Sequence, residues 1–588
     1  MNSETKTHSE NSVSTTCQNC KKDFTIEPED FSFYEKIKVF SPTFCPECRA
    51  KRRLLFRNER TLYRRKCDIT GKNIISIYAP DSKYKVCDKE YWYSDEFNAM
   101  QYGMEIDWGK PFLEQFRELS LKVPLPSLGV RTSENCEYNN DMSLSKDCYL
   151  CSRTHHSQRM LYVYRGNSSS DCTDCFQVVE KSELLYESME CISCSRSQYL
   201  YFCDQCVNSF FLYNCQNCMD CFMCANLRNK SYCIMNEQYS REGYFDALKK
   251  IDLGNRQTRE KLLIKFNEFI LSVPRKHLNI LNAVNCTGDN IVESRNCKNC
   301  FGIKKCENSK YLLDIMKYKD SMDAYSGGRN NELVYEVTAV AACSEVTSCF
   351  RVHDSNSVSY SWLIAFSSNI FGCIGLTHKE YCILNRQYTK EEYLELLPKI
   401  RKHMGEMPYI DEKGIEYKYG EFFPESFSPF AYNETVAQEY YPLEKEEMIK
   451  NGYKIREPEE KNYVSTILAK NLPSEIKNTD DSIIKEVISC IHQGACNHQC
   501  TTAFRIIQSE LDFYKGMNIP IPDKCPNCRH YNRLQFRNPI KLWHRECMCD
   551  KKNHLHGEKK CDVDFDTSYM PDRPEIVYCD QCYKQEAY

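Results

Sequence analysis

"CPECRAKRRLLFRNERTLYRRKC" runs from Cys45 to Cys67, and its reading decides how the rest of the chain is divided. Nine of the 22 residues from Cys45 to Lys66 are Lys or Arg and two are Glu, although the whole chain has a formal net charge of −4. Shifted by 480 residues, the stretch returns without a gap as "CPNCRHYNRLQFRNPIKLWHREC", Cys525 to Cys547. The same offset aligns Cys20, Phe24, Phe33, Tyr34 and Pro42 with Cys500, Phe504, Phe513, Tyr514 and Pro522. A duplication of this kind makes each copy one structural unit.

Each copy carries two close cysteine pairs: Cys17 and Cys20 with Cys45 and Cys48, then Cys496 and Cys500 with Cys525 and Cys528. Two turns that each present two thiolates suit one tetrahedral zinc ion, which needs no redox change and accepts four soft ligands. The stretch after the second copy adds Cys579 and Cys582, with Cys549 and Cys561 as expected companions and Cys547, His554 and His556 as rivals. Zinc is therefore expected at about three sites. The N-terminal counterpart of the last site keeps Cys67 and Cys87 but has Glu90 roughly where Cys582 should be. With too few thiolates, it is expected to be a plain β-hairpin core.

Behind each Cys-Pro-x-Cys the arginines recur every fourth residue, as Arg49, Arg53 and Arg57 and as Arg529, Arg533 and Arg537. That spacing places them along one helix face. A repeated cationic stripe on a small metal module is expected to meet a phosphate backbone. The competing reading is a solvated charged face.

Between the copies the rhythm changes. Cys-x-x-Cys begins at Cys148, Cys172, Cys191, Cys203 and Cys215, with aromatic pairs between, and the last two steps are both 12 residues. Short β-type runs with Asn, Ser and Asp at the corners predict a β-solenoid with two runs per coil. A second array ends in "CIGLTHKEYCILNRQYTKEEY", which is "CANLRNKSYCIMNEQYSREGY" shifted by 149. Each array closes with a helical pattern, capped at Ser240 and at Thr389, that covers an otherwise open edge. The solenoid cysteines have three readings: small buried packing residues, further zinc, or an iron–sulfur cluster at Cys215, Cys218, Cys221 and Cys224.

A chain of 588 residues is too long for one core. Its 38 cysteines would suit a disulfide scaffold only in a small secreted domain, and the polar start "MNSETKTHSENSVSTT" has no apolar signal segment. No run of 18 apolar residues predicts a membrane span. The expected setting is cytoplasmic, with reduced thiols. The resulting fold class is mixed α+β and multidomain, with duplicated zinc-ribbon or treble-clef-like modules at both ends of a cysteine-rich β-solenoid-like region with capping helices. The expected segments are a disordered start over 1–14, a zinc module over 15–95, a helical linker over 96–128 and a first array over 129–239. A helical segment over 240–280, a second array over 281–404, a linker with short helices over 405–490 and a second zinc module over 491–588 complete it.

The layout resembles a group of uncharacterised cysteine-rich zinc-ribbon proteins predicted in small-genome, uncultivated bacteria and some large DNA viruses. The resemblance rests on "CPECR…FRNER", "NLRNKSYC", "LDFYKGMNIPIPDKCPNCRHYNRLQFRNPIKLWHREC" and "SYMPDRPEIVYCDQCY". It implies zinc in the terminal modules and supplies no activity.

The chain has no GxxxxGK[ST], HExxH or GxSxG, and His378-Lys379-Glu380 lacks the Pro-Cys-x-x-Cys of a zinc deaminase. The expected function is a non-catalytic, zinc-binding scaffold that grips nucleic acid through the six ladder arginines, with no membrane or small-molecule partner. The alternatives are a protein-interaction scaffold that uses the solenoid face and, behind it, a Cys-x-x-Cys or iron–sulfur redox protein.

Overall fold

The computed structural model describes residues 12–457 and 464–587. The expected disordered start falls mostly on residues 1–11, outside the described residues, and the first strand already begins at Val13. The chain forms two compact units, each assembled from two separated segments: Met1–Ser127 with Leu278–Arg456, and Leu128–His277 with Glu457–Tyr588. The N-terminal cysteine module thus belongs with the second array, and the C-terminal module with the first.

Both arrays are parallel β-solenoids. Residues pair with those 12 further on, as Phe210 with Phe222 and Leu212 with Cys224 in the first array, and Val346 with Val358 in the second. The coil has four sides and not the two expected runs. The cause lies in the backbone: in the first array every third residue takes a positive φ, as at Phe202 (59°), Gln205 (51°), Asn208 (50°), Phe211 (60°) and Asn214 (49°). A left-handed residue turns the chain through a corner. Three residues per side and four sides make a turn of twelve. Many corners are Asn or Asp, which tolerate this conformation, but Phe and Tyr also occupy it. Each array contains one 13-residue turn, where Phe176 pairs with Met189 and Tyr325 with Thr338.

Only one side chain per side points inwards, so the interior is narrow and favours Cys, Ser, Val and Leu. The cysteines are packing residues that also satisfy the backbone. The Cys206 thiol lies 3.4 Å from the Asp204 carbonyl and 3.5 Å from that of Cys215, and either can accept its proton. Its own N–H donates to Cys194 Sγ at 3.4 Å. Serine does the same work elsewhere: Ser209 Oγ donates to the Val207 carbonyl at 2.9 Å and accepts the Cys221 N–H at 3.1 Å. Among the described residues, no solenoid cysteine joins a set of three or more potential metal ligands, including Cys215, Cys218, Cys221 and Cys224.

Two adjacent sides of each coil are aromatic. Tyr199 stacks on Phe211 at 4.8 Å, and Phe211 meets Phe222 at 5.7 Å. In each unit these sides receive the cysteine module. Phe56, fully buried, packs edge-on against Trp362 at 5.8 Å and Phe422 at 5.1 Å. Its duplicate Phe536 stacks on Tyr201 at 4.3 Å.

The array ends are closed as the sequence predicts. Ser240 Oγ accepts the Gly243 N–H at 3.1 Å and starts the helix Arg241–Leu248. Thr389 and Glu392 form a capping box at the start of Lys390–Glu406. The stretch read as a linker is folded on both sides of its undescribed residues 458–463. Phe422, Phe423, Phe427 and Phe430 are buried in one unit, and Ile476, Ile483 and Ile488 in the other.

Candidate metal centres

The first centre forms where a hairpin meets a helix. Strands Val13–Thr16 and Asp23–Ile26 pair antiparallel, and Cys17 and Cys20 lie in the turn that joins them. Cys45 caps the helix Pro46–Leu54, and Cys48 lies in its first turn. The sulfurs of Cys17, Cys20, Cys45 and Cys48 all lie within 4.8 Å of one another, and those of Cys20 and Cys45 are 3.7 Å apart. A tetrahedral ion bound at about 2.3 Å from each sulfur would hold them about 3.8 Å apart. The hydrogen bond between Cys45 and Cys48 lowers the Cys45 thiol to about 5 and pushes Cys48 up. One sulfur ionises at its neighbour's expense, and a cation held among the four would let all of them carry charge.

In the second copy the set is Cys490, Cys500, Cys525 and Cys528, not the expected Cys496, Cys500, Cys525 and Cys528. The strand Ile488–Ser489 pairs with Ala503–Phe504 and carries Cys490 to the place that Cys17 has in the first copy. Cys17 and Cys490 differ by 473, whereas Cys20 and Cys500 differ by 480, so the second turn is seven residues longer. That longer loop takes Cys496 to the other side of Cys528, into a separate set with His492 and His498. His492 Nδ1 is 3.2 Å and Cys496 Sγ 3.7 Å from Cys528 Sγ. The sequence alone does not single out Cys490, His492 and His498, since two histidines in a polar loop give no periodic signal.

The last module repeats the pattern. Cys547, Cys561, Cys579 and Cys582 form one buried set, and Cys549, His554, His556 and Cys582 a second. The expected Cys549 therefore belongs to the second set, and its rival Cys547 takes its place in the first. His554 Nδ1 is 3.1 Å from Cys549 Sγ, and its Nε2 is 2.9 Å from Glu586 Oε1. His556 presents Nε2 to Cys549 at 3.3 Å, while Nδ1 donates to the Lys559 carbonyl at 2.6 Å. A second ring nitrogen fixed in this way is the usual support of a metal-ligating histidine.

The N-terminal counterpart of that module has only one of the four sulfurs. The Cys67 N–H donates to the Lys72 carbonyl at 2.8 Å, as the Cys547 N–H does to Val563 at 2.9 Å. Cys67 Sγ accepts the Asp88 N–H at 3.2 Å, as Cys547 Sγ accepts that of Cys579 at 3.2 Å. Thr70, Asp88 and Tyr91 thus stand where Cys561, Cys579 and Cys582 stand. Tyr91, not Glu90, replaces Cys582, and Cys67, Cys87 and Trp92 form a small apolar core instead.

The ladder arginines face inwards, contrary to the expectation of a phosphate-gripping stripe. Arg49, Arg53 and Arg57 are 1%, 2% and 1% exposed, and Arg529 and Arg533 are each 2% exposed. Arg537 is half-buried, 6.0 Å above the Phe176 ring. Arg49 Nε meets Asp323 Oδ2 at 3.0 Å, and Arg53 Nη1 meets Glu336 Oε2 at 2.6 Å. In the other unit Arg529 Nε meets Asp174 Oδ1 at 3.0 Å, and Arg533 Nη1 meets Glu187 Oε2 at 2.8 Å. Arg57 pairs with Glu59 at 2.6 Å. Four-residue spacing does put the cations on one face, but that face lies on the solenoid. Burial opposes the Arg49 charge, yet Asp323 beside it holds the guanidinium well above its ordinary pKa. Burial also raises Glu336, against the pull of Arg53 and Arg52.

Among the described residues, no helix is long and apolar enough to cross a membrane. No family model matches the chain, and no curated protein matches it.

Proposed function

We propose that the chain is a non-catalytic, zinc-braced scaffold that presents the outward sides of its two solenoids to a protein partner. In this reading the cysteine modules are zinc-ribbon or treble-clef-like braces. Each set supplies four protein ligands, which leaves a bound zinc no open position for substrate. The observation that carries the reading is the inward arginine face: the helix behind each metal set is spent on holding its solenoid, not on an external ligand. The sides left outward carry stacked polar rungs, such as Asn217 Nδ2 donating to Asn229 Oδ1 at 2.7 Å and Asn296 to Asn308 at 3.0 Å. Long regular flanks of this kind suit extended docking.

One observation favours nucleic acid as a second reading. Lys305, Lys317 and Arg329 are exposed on successive turns of one side of the second array, next to Lys304. Turns about 4.8 Å apart would stack these cations into a column. Two of them have acidic neighbours, Lys305 with Glu293 at 3.3 Å and Arg329 with Asp354 at 2.9 Å, which weakens the field they offer.

The test is affinity capture with reduced, metal-replete full-length chain, before and after nuclease treatment. A protein that stays bound after nuclease and is lost with Asn217→Arg and Asn229→Arg supports the first reading. Capture that nuclease abolishes, and that Lys305→Glu, Lys317→Glu and Arg329→Glu weaken, replaces it with the second. Turnover that vanishes with one outward residue would end both.

A further inference from the structure

The two metal sets of each C-terminal half share one atom. Cys528 Sγ belongs both to the set with Cys490, Cys500 and Cys525 and to the set with His492, Cys496 and His498. Cys582 Sγ belongs both to the set with Cys547, Cys561 and Cys579 and to that with Cys549, His554 and His556. Six ligand atoms stand around each shared sulfur, seven with the sulfur itself. Two tetrahedral ions need eight bonds, and a thiolate has lone pairs enough to supply two of them.

We propose that Cys528 and Cys582 each bridge two metal ions, so that the C-terminal module holds two dinuclear centres, each of five cysteines and two histidines. This rests on the reading of these sets as zinc sites and extends it from about three ions to five: one at Cys17, Cys20, Cys45 and Cys48, and two at each shared sulfur.

Three observations carry it. The first is the contrast between the copies. Cys48, the counterpart of Cys528, accepts a hydrogen bond from Asn19 Nδ2 at 3.4 Å, whereas Cys528 has His492 Nδ1 at 3.2 Å and Cys496 Sγ at 3.7 Å. The longer second loop supplies those outer ligands. The second is the fixing of both outer histidines of the last centre by Glu586 and by the Lys559 carbonyl, which leaves His554 Nδ1 and His556 Nε2 turned to Cys549. The third is His498, whose Nδ1 is buried and has no hydrogen-bond partner in the protein, a cost that a metal bond would remove. The same solution occurs twice on one kind of local scaffold, an antiparallel hairpin loop followed by a helix that carries the shared cysteine in its first turn, Pro526–Leu534 in one case and Asp580–Ala587 in the other.

The test uses the full chain, reduced and purified with zinc, and counts ions by elemental analysis beside quantitative amino-acid analysis. Five zinc ions per chain are expected. His492→Ala with Cys496→Ala and His498→Ala should lower the count from five to four, and Cys549→Ala with His554→Ala and His556→Ala should do the same independently. These variants keep both inner four-cysteine sets, so they do not depend on losing the fold. In cadmium-substituted protein the β-protons of Cys528 and Cys582 should each couple to two cadmium nuclei, and those of Cys525 and Cys579 to one. A count of three that neither outer triple variant changes, with single coupling at Cys528 and Cys582, overturns the bridging and leaves the zinc reading intact. A count below one ends both.

Discussion

Arg49 donates from Nε to Asp323 Oδ2 at 3.0 Å across 274 residues of chain, with both side chains out of water. The pair has a duplicate in Arg529 and Asp174. The arginines are related by the 480-residue shift of the modules, and the aspartates by the 149-residue shift of the arrays. Glu336 and Glu187 obey the same 149-residue relation. Two independent repeats thus meet at one charged contact, and each unit preserves it.

Removing one partner should be costly. Arg53→Met would leave Glu336 and Asp323 buried with less positive charge, and breaking such a pair costs about 3–5 kcal/mol. Arg64→Met, on an exposed position nearby, should change stability by less than about 0.5 kcal/mol. Chemical denaturation of metal-replete protein, followed in the transition of this unit, distinguishes the two. Equal, small effects would mean that the arginine face is not a structural contact.

The solenoid thiols should be replaceable by serine and not by bulk. Cys206 sits in a column with Ser182 and Cys194, where Ser182 Oγ accepts the Cys194 N–H at 3.3 Å and Cys194 Sγ accepts that of Cys206 at 3.4 Å. Cys206→Ser should therefore keep the fold and the full metal content. Cys206→Leu should destabilise by about 1–3 kcal/mol through overpacking. Loss of an ion on Cys206→Ser would contradict a packing role.

Metal removal should loosen the ligand-bearing loops before the arrays. A strong chelator under reducing conditions should expose the loop between Cys549 and Cys561, whose Lys551, Lys552, Lys559 and Lys560 are already at the surface, to trypsin. Mass spectrometry of early fragments should find these cuts while residues 140–225 stay intact. Early cuts spread evenly over the chain would argue that the ions do not hold these loops.

The cysteine modules should not survive alone. Residues 457–588 expressed by themselves would expose Arg529, Arg533 and Phe536 to water, and are expected in the insoluble fraction. Co-expression with residues 128–277 should bring both into one soluble complex, because the pairs to Asp174, Glu187 and Tyr201 re-form. A soluble, metal-loaded 457–588 fragment would show that the module folds without its array.

Much of the plan was legible because duplication is a strong signal. The 480 and 149 offsets located the modules, the arrays and the closing helices. The partnership between modules and arrays was not legible, since nothing local in Cys45–Cys67 marks residues 323 and 336 as its counterparts. A search for acids that recur at the array's own offset would have found Asp174 and Asp323. The period of twelve was visible at Cys203 and Cys215, but four corners per turn were hidden because Phe202, Phe211 and Tyr199 adopt a conformation expected of Gly or Asn. The ligand sets went astray where a loop had lengthened: pairing the nearest cysteines selected Cys496, whereas the strand register selects Cys490.

The alternation of segments has a consequence for synthesis. Arg53 leaves the ribosome 283 residues ahead of Glu336. At 5–20 residues per second that is a delay on the order of 15–60 s. For that interval the nascent helix shows bare guanidinium groups and the naked ring of Phe56 to the cell, and they are covered only once the second array has emerged.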